Sequence, residues 1–218
     1  MKEKYPLNLV FITLISCLLA CVGDFVVTFI LGYYYEGYNF IEQSQSILGT
    51  SGSPVANYMN SWGIIFSFLF AVYAFCLRRT IFKYSKLQFI ASCLVALYGF
   101  GEGIGSGMFP FEKENNAFTG IGWLHLLFSA LGDIGLVLFP ILSLQIFKSS
   151  EYPRLRKLAL FLSISGPILI GCFLMTKFNT LPYRGLWQRL FLLNYYILLM
   201  SIAIDMFITQ IRLNTVMP

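Results

Sequence analysis

The sequence predicts an all-α polytopic membrane protein: one integral membrane domain over residues 1–218, built as a six-transmembrane-helix bundle with both termini in the cytoplasm. Three observations carry that prediction. Only 11% of the 218 residues are charged, whereas 57% are apolar and 17% aromatic, and the mean hydropathy is +0.73. Soluble domains carry roughly 25% charged residues, so this chain lacks the charge to cover a water-facing surface. Apolar stretches of about 20 residues recur along the chain, the length that crosses a hydrocarbon core of roughly 30 Å. Basic residues, finally, segregate to alternate loops. The same composition excludes a disordered chain and a nucleic-acid partner, because the net charge of +5 is scattered over several loops.

Six segments meet the length and apolarity test, near Leu7–Tyr33, Tyr58–Leu77, Leu87–Phe109, Gly120–Phe147, Leu158–Thr176 and Leu186–Met206. Each reads as a helix, since a helix satisfies its own backbone in lipid. The alternating ten-residue segments of a membrane β-barrel are missing from the sequence. Met1-Lys2-Glu3-Lys4 ahead of the first segment imitates a signal peptide, and Leu18-Leu19-Ala20-Cys21 imitates a lipobox. The apolar run is too long for a signal core and continues past Asp24, so it is read as a retained helix.

Orientation follows from the short loops. Lys2, Lys4, Arg78, Arg79, Lys83, Lys86, Lys148, Arg154, Arg156, Lys157 and Arg212 fall on one side, against Lys113, Lys177 and Arg184 on the other, with Arg189 inside the sixth segment. The crowded side is the cytoplasmic one by this rule, which places the chain in the cell membrane with the loop from Tyr34 to Asn57 outside.

Charge inside lipid costs a few kcal/mol and marks candidate function. Asp24 lies within the first segment, Glu102 in the outer half of the third, and His125 near the outer start of the fourth with Asp133 two turns deeper. Gln188 and Arg189 lie in the first turns of the sixth, and Asp205 near its inner end. One polar cavity open to the outside would account for Asp24, Glu102, His125, Asp133, Gln188 and Arg189. The competing account is neutralisation in pairs, Asp24 or Asp133 against Arg189. His125, Ser129 and Asp133 follow one helix face, but His125 and Asp133 are about 12 Å apart along the axis, too far for a dyad. A catalytic His125 therefore takes its orienting carboxylate from another helix, with Glu102 and Asp24 the candidates. The competing account is a hydrogen-bonded structural histidine.

One histidine in the chain rules out bis-histidine haem and starves a zinc site of nitrogen ligands. The five cysteines lie in apolar segments without a Cys-x-x-Cys pair. No metal, disulfide or other cofactor is expected. Between Gly99 and Pro110 glycines recur at Gly99, Gly103 and Gly107, the spacing of close helix packing, and alternate at Gly101, Gly103, Gly105 and Gly107, where the helix is expected to loosen. The stretch lacks the Gly-Lys-Ser/Thr of a phosphate loop, and Ile104 stands where an intramembrane serine protease has glycine. The outer loop holds Phe40, Ile41, Ile47 and Leu48 at helix-like spacing, which predicts a short amphipathic segment on the membrane surface. It is alternatively a lid whose Gln43, Ser44 and Ser46 face a ligand.

Four stretches then resemble the six-helix membrane protein family catalogued as domain of unknown function 998. They are Gly37-Tyr38 through Gln45-Ser46-Ile47-Leu48-Gly49 with Gly52-Ser53-Pro54 and Asn60; Gly107-Met108-Phe109-Pro110; His125-Leu126-Leu127-Phe128-Ser129-Ala130; and Gly185-Leu186-Trp187-Gln188-Arg189-Leu190. The chain departs from the family pattern after Phe109-Pro110, where Phe111 and Glu112 replace the usual aspartate. The resemblance implies an integral membrane protein and supplies no reaction.

Three functions remain open. The leading expectation is a protein holding a lipid or amphipathic small molecule in an outward polar cavity, with Arg189, Gln188, Asp133, Ser129 and Ser46 as ligand-binding residues. Alternatively it is a membrane enzyme acting on a lipid of the outer leaflet, with His125 as acid or base, Glu102 or Asp24 orienting it and Arg189 stabilising negative charge. The last is a structural or accessory subunit. The partner expected in every case is membrane lipid.

Overall fold

The computed structural model describes residues 5–114 and 117–216. Lys2 and Lys4, used above for orientation, lie outside the described residues. Among the described residues six helices are long and apolar enough to cross a membrane: α1 (Leu7–Tyr33), α2 (Ala56–Arg79), α3 (Lys86–Met108), α4 (Gly120–Ile146), α5 (Pro153–Met175, prolonged by a 3-10 turn, Thr176–Phe178) and α6 (Arg184–Val216). Their starts follow local chemistry. Ser85 and Gln88 form a reciprocal capping box at α3, the Thr119 hydroxyl accepts from the Gly122 amide at α4, and Pro153 opens α5, where its missing N–H has no intrahelical partner to lose.

Consecutive helices pack side by side, and α6 returns to α1, so the six close into a ring. Its centre is aromatic. Phe66, Phe70, Tyr73, Tyr98 and Tyr196 are buried, with Phe70 edge-on to Tyr98 at 5.1 Å. The flanks are studded with exposed Leu, Ile, Val and Phe, the surface expected of a bundle solvated by hydrocarbon. One end carries the start of α1, the end of α6 and the connections 80–85 and 147–152, and the Tyr5 amide donates there to Gln210 Oε1. The other, here the loop end, carries residues 34–55, a two-stranded hairpin (Lys113–Glu114 with Ala117–Phe118) and residues 179–183.

The glycine-rich stretch of α3 becomes a π turn over Phe100–Gly105, where the alternating glycines led us to expect a loosened helix. Widening leaves backbone groups to be satisfied, and Ser67 of α2 supplies them: its hydroxyl donates to Gly99 O and accepts from the Ile104 amide. The glycines serve two neighbours at once. A Cβ at Gly103 would run into Gly63 and Ser67 of α2, and one at Gly101 would lie 2.5 Å from Phe128 O and 2.7 Å from Gly132 N of α4.

The long loop departs from expectation. Its middle is a 3-10 turn, Gln45–Gly49, and the loop folds inward instead of lying flat. Leu48 is fully buried against Leu31 and Val55, and Phe40 stacks on Phe29 at 4.8 Å. Tertiary contacts cover Leu48 and part of Phe40, whereas Ile41 stays 51% exposed.

Candidate functional site

The π turn decides where Glu102 points. Gly132 on α4 leaves room, and the Glu102 side chain packs over it while Oε1 accepts from the Ser129 hydroxyl. This places Glu102 beside Ser129, one turn above Asp133 on α4.

His125 is buried near the start of α4. Its Nδ1 lies 2.8 Å from Phe109 O and 3.2 Å from Ser106 O. Two carbonyl acceptors require the proton on Nδ1, so in the neutral imidazole Nε2 carries the lone pair. The ring is therefore oriented by the end of α3 and not by a carboxylate. Neither Glu102 nor Asp24 takes the expected position, since both have other partners and α3 unwinds to present its carbonyls to the imidazole. Phe109 stacks on Phe128 at 5.4 Å, and Phe111 meets the His125 ring edge-on, which fixes the same corner.

Asp24 belongs to a separate network. Oδ2 accepts from Tyr196 at 2.9 Å and Oδ1 from the Trp62 indole at 3.3 Å, and the Tyr196 and Tyr98 hydroxyls are 2.6 Å apart. Gly23 makes room for Trp62, whose ring would lie 2.6 Å from a Cβ there. Both Asp24 oxygens are thus satisfied by neutral donors, as burial of a carboxyl in a helix bundle demands.

Two adjoining hollows open at the loop end. The first, about 610 Å³ of empty space including its mouth, runs between α1, α2 and α3 and reaches Asp24, Asn60, Trp62 and Tyr98. The second, about 810 Å³ on the same measure, lies between α4, α5 and α6, with Ser129, Asp133, Lys177 and Arg184 in its walls. Ser46, Glu102, Phe111, His125, Gln188 and Leu192 line both. Of the residues singled out from sequence, Asp24, Ser46, Glu102, His125, Ser129, Asp133 and Gln188 border this paired cavity. Arg189 does not.

The sequence reading missed Lys177 and Arg184. It used them only to orient the chain, because both fall at helix ends where a basic residue is ordinarily solvated. Here Arg184 lies against the rings of Phe111 and Phe173, each 5.6 Å from the guanidinium carbon, and Lys177 stands over Phe173 at 5.7 Å. Counting basic residues next to aromatic ones in the 177–184 turn would have been the only hint.

Arg189, expected to meet a ligand headgroup, is instead a clamp on the loop. One terminal nitrogen donates to Phe40 O (2.7 Å), Gln43 O (3.2 Å) and Gly185 O (3.1 Å), and the other donates to the Tyr38 hydroxyl at 2.9 Å. The guanidinium also faces the Phe29 and Phe40 rings. Burial raises the Tyr38 phenol above its ordinary pKa against the pull of Arg189, so the hydroxyl keeps the proton it offers to Gln43 O and Ser44 O. Gln188 joins the clamp, its Oε1 accepting from the Gln45 amide at 2.7 Å, while Gln45 Nε2 donates to Thr28. Neither Asp24 nor Asp133 forms an ion pair with Arg189 among the described residues; carbonyl dipoles and aromatic faces solvate the cation.

The four stretches singled out in the sequence are thus two contacting pairs. The loop from Gly37 to Gly49 docks on Gly185–Arg189, where a Cβ at position 185 would collide with the carbonyls of Phe40 and Gln43. Phe109 presents its carbonyl and ring to His125 and Phe128. Asn60 lies between the two pairs, near Gly49 and Gly107.

Among the described residues no group of three His, Cys, Asp or Glu converges to hold a metal ion. The cysteines are free thiols. The arrangement can accept and donate hydrogen bonds, offer a histidine lone pair and present charges of both signs beside apolar walls. Neither the curated proteins nor the solved structures contain a match to this chain. A family model described as "Protein of unknown function (DUF998)" covers residues 18–205, a span that takes in both hollows and every segment that closes them, and the chain belongs to that family.

Proposed function

We propose that this protein holds a lipid or amphipathic small molecule in the cavity between α4, α5 and α6. The observation that carries this reading is the make-up of the walls. Glu102, His125, Ser129, Asp133, Lys177, Arg184 and Gln188 share one hollow with Phe173, Leu174, Phe191 and Leu192. Ligand sites combine a largely apolar lining with a few convergent polar groups, and this lining suits a polar head attached to an apolar body. Ala130 and Leu174 border the hollow and are exposed, which gives an apolar chain a way out through the flank between α4 and α5. The loop clamped by Arg189 covers the mouth and contributes Ser46.

The test is mass spectrometry of the protein extracted in mild detergent. A stoichiometric lipid should co-purify, and Leu126→Trp together with Leu174→Trp, which fill the hollow without touching its charges, should expel it. Equal lipid content in the filled variant would refute the site.

The position of His125 supports a second reading, a membrane enzyme acting on a lipid. Its Nε2 is free of protein partners among the described residues, while Nδ1 is anchored by two carbonyls, the arrangement a general base requires. In that case His125→Gln retains the bound lipid and abolishes its conversion in a reconstituted vesicle, whereas a purely structural His125 would change melting temperature and lipid content together.

A further inference from the structure

The α4–α5–α6 hollow holds basic and acidic side chains that do not pair with each other among the described residues. Lys177 ends α5 and Arg184 begins α6, so the cations stand at the rim, while Glu102 and Asp133 lie lower on α3 and α4. Among the described residues no ion pair or hydrogen bond joins either cation to either carboxyl. The cations rest on Phe111 and Phe173. Among the described residues, Arg184 Nε and Asp133 Oδ1 are buried without a hydrogen-bond partner, and Glu102 has only the Ser129 hydroxyl. Opposite charges facing one low-dielectric hollow attract each other, and the scaffold keeps these apart, with Lys177 at the exposed rim. Here the aromatic faces hold the cations up, and Gly132 with Ser129 holds Glu102 against α4. A charge-separated cavity of this kind is complementary to a ligand that is itself charge-separated, in the opposite sense.

We infer that the headgroup recognised here is zwitterionic, a phosphate bearing a primary ammonium, with the phosphate at Arg184 and Lys177 and the ammonium at Asp133 and Glu102. This deepens the amphiphile-binding reading and rests on it. The guanidinium and the lysine ammonium supply the charge-assisted donors that phosphate oxygens take. Asp133 and Glu102 supply acceptors, which a primary ammonium satisfies with three N–H donors and a quaternary ammonium cannot. A lipid of the phosphatidylethanolamine type has this chemistry, and so does its water-soluble glycerophosphoethanolamine headgroup.

The experiment measures binding of phosphatidylethanolamine carrying a fluorescent acyl chain to the full chain in maltoside micelles. Competitors are unlabelled phosphatidylethanolamine, phosphatidylglycerol, phosphatidylcholine and glycerophosphoethanolamine. The expected result is that phosphatidylethanolamine competes at least tenfold better than phosphatidylglycerol or phosphatidylcholine. Asp133→Asn should bring the ratio to phosphatidylglycerol near one, Asp133→Glu should restore part of it, and Arg184→Gln should weaken both lipids together. The ratio is taken within one protein sample, so partial misfolding of a variant leaves it unchanged. Phosphatidylglycerol equal to or better than phosphatidylethanolamine on the native chain overturns the zwitterion inference and leaves the amphiphile reading standing. Binding of glycerophosphoethanolamine as tight as that of the lipid does the reverse, upholding the headgroup chemistry with a soluble source. Absence of binding by any of them overturns both.

Discussion

Arg189→Met tests whether the loop is held by one side chain. The substitution keeps an unbranched apolar stem against Phe29 and Phe40 but removes every donor. Phe40 O loses the donor it has from Arg189, Gln43 O keeps only the Tyr38 hydroxyl, and Tyr38 loses the N–H it accepts. A hydrogen bond from a charged group contributes about 1.5–3 kcal/mol, and an orphaned buried carbonyl costs about 1–3 kcal/mol. Allowing for overlap between these effects, loop docking weakens by roughly 3–5 kcal/mol, about 100-fold to more than 1,000-fold in the opening equilibrium. Cleavage of a transiently opened segment tracks that equilibrium when reclosing is fast. Limited chymotrypsin digestion in detergent should therefore release fragments ending at Tyr38 or Phe40 at least 100 times faster in the variant, while the six-helix body stays intact. Arg189→Lys should fall between, since an ammonium cannot reproduce the fork that reaches Phe40, Gln43 and Tyr38 together. A variant cut at these bonds within threefold of the native rate would refute the clamp and return Arg189 to the pool of ligand-binding candidates.

Other expectations concern the body of the bundle. Gly101→Ala places a methyl 2.5 Å from Phe128 O and 2.7 Å from Gly132 N, both backbone atoms, so it should destabilise by about 1–3 kcal/mol or more and lower the detergent melting temperature. Gly107→Ala, whose nearest neighbour is 3.5 Å away at Asn60 O, should melt within a degree or two of the native chain. Tyr196→Phe removes the donor to Asp24 and the partner of Tyr98, and should cost about 2–4 kcal/mol in denaturant titration. Tyr73→Phe loses one neutral bond to Leu199 O and should cost about 1 kcal/mol. Ser67→Ala leaves Gly99 O and the Ile104 amide of the π turn without their bridge, and faster hydrogen exchange at residues 100–105 would report the loss.

Much of the bundle was legible because lipid imposes simple rules. Helix number and near-boundaries follow from apolar length, and the α3 π turn falls where glycines alternate, because Gly101, Gly103 and Gly105 each remove a side chain that would otherwise push α2 or α4 away. Boundaries shifted where helix ends outran the hydropathic core, as at α2, which begins at Ala56, and α6, which continues through Val216. The candidate site was legible as a set of residue types out of place in hydrocarbon, with Asp24, Glu102, His125 and Asp133 all found beside the paired hollow. Their partners were not. Arg189 looked like the cavity's cation because sequence gives its depth, not the direction of its side chain.

Composition and spacing alone determined the number of helices long and apolar enough to cross a membrane and the close approach of α3 to its neighbours, since each depends only on residue type and its local period. Only the tertiary structure decided that Arg189 closes the loop while Lys177 and Arg184 face the hollow, and that backbone carbonyls, not a carboxylate, orient His125. Those outcomes depend on which helix faces which, and on loop carbonyls that reach a charge from about 150 residues away in the chain, a relation that no local period or propensity encodes.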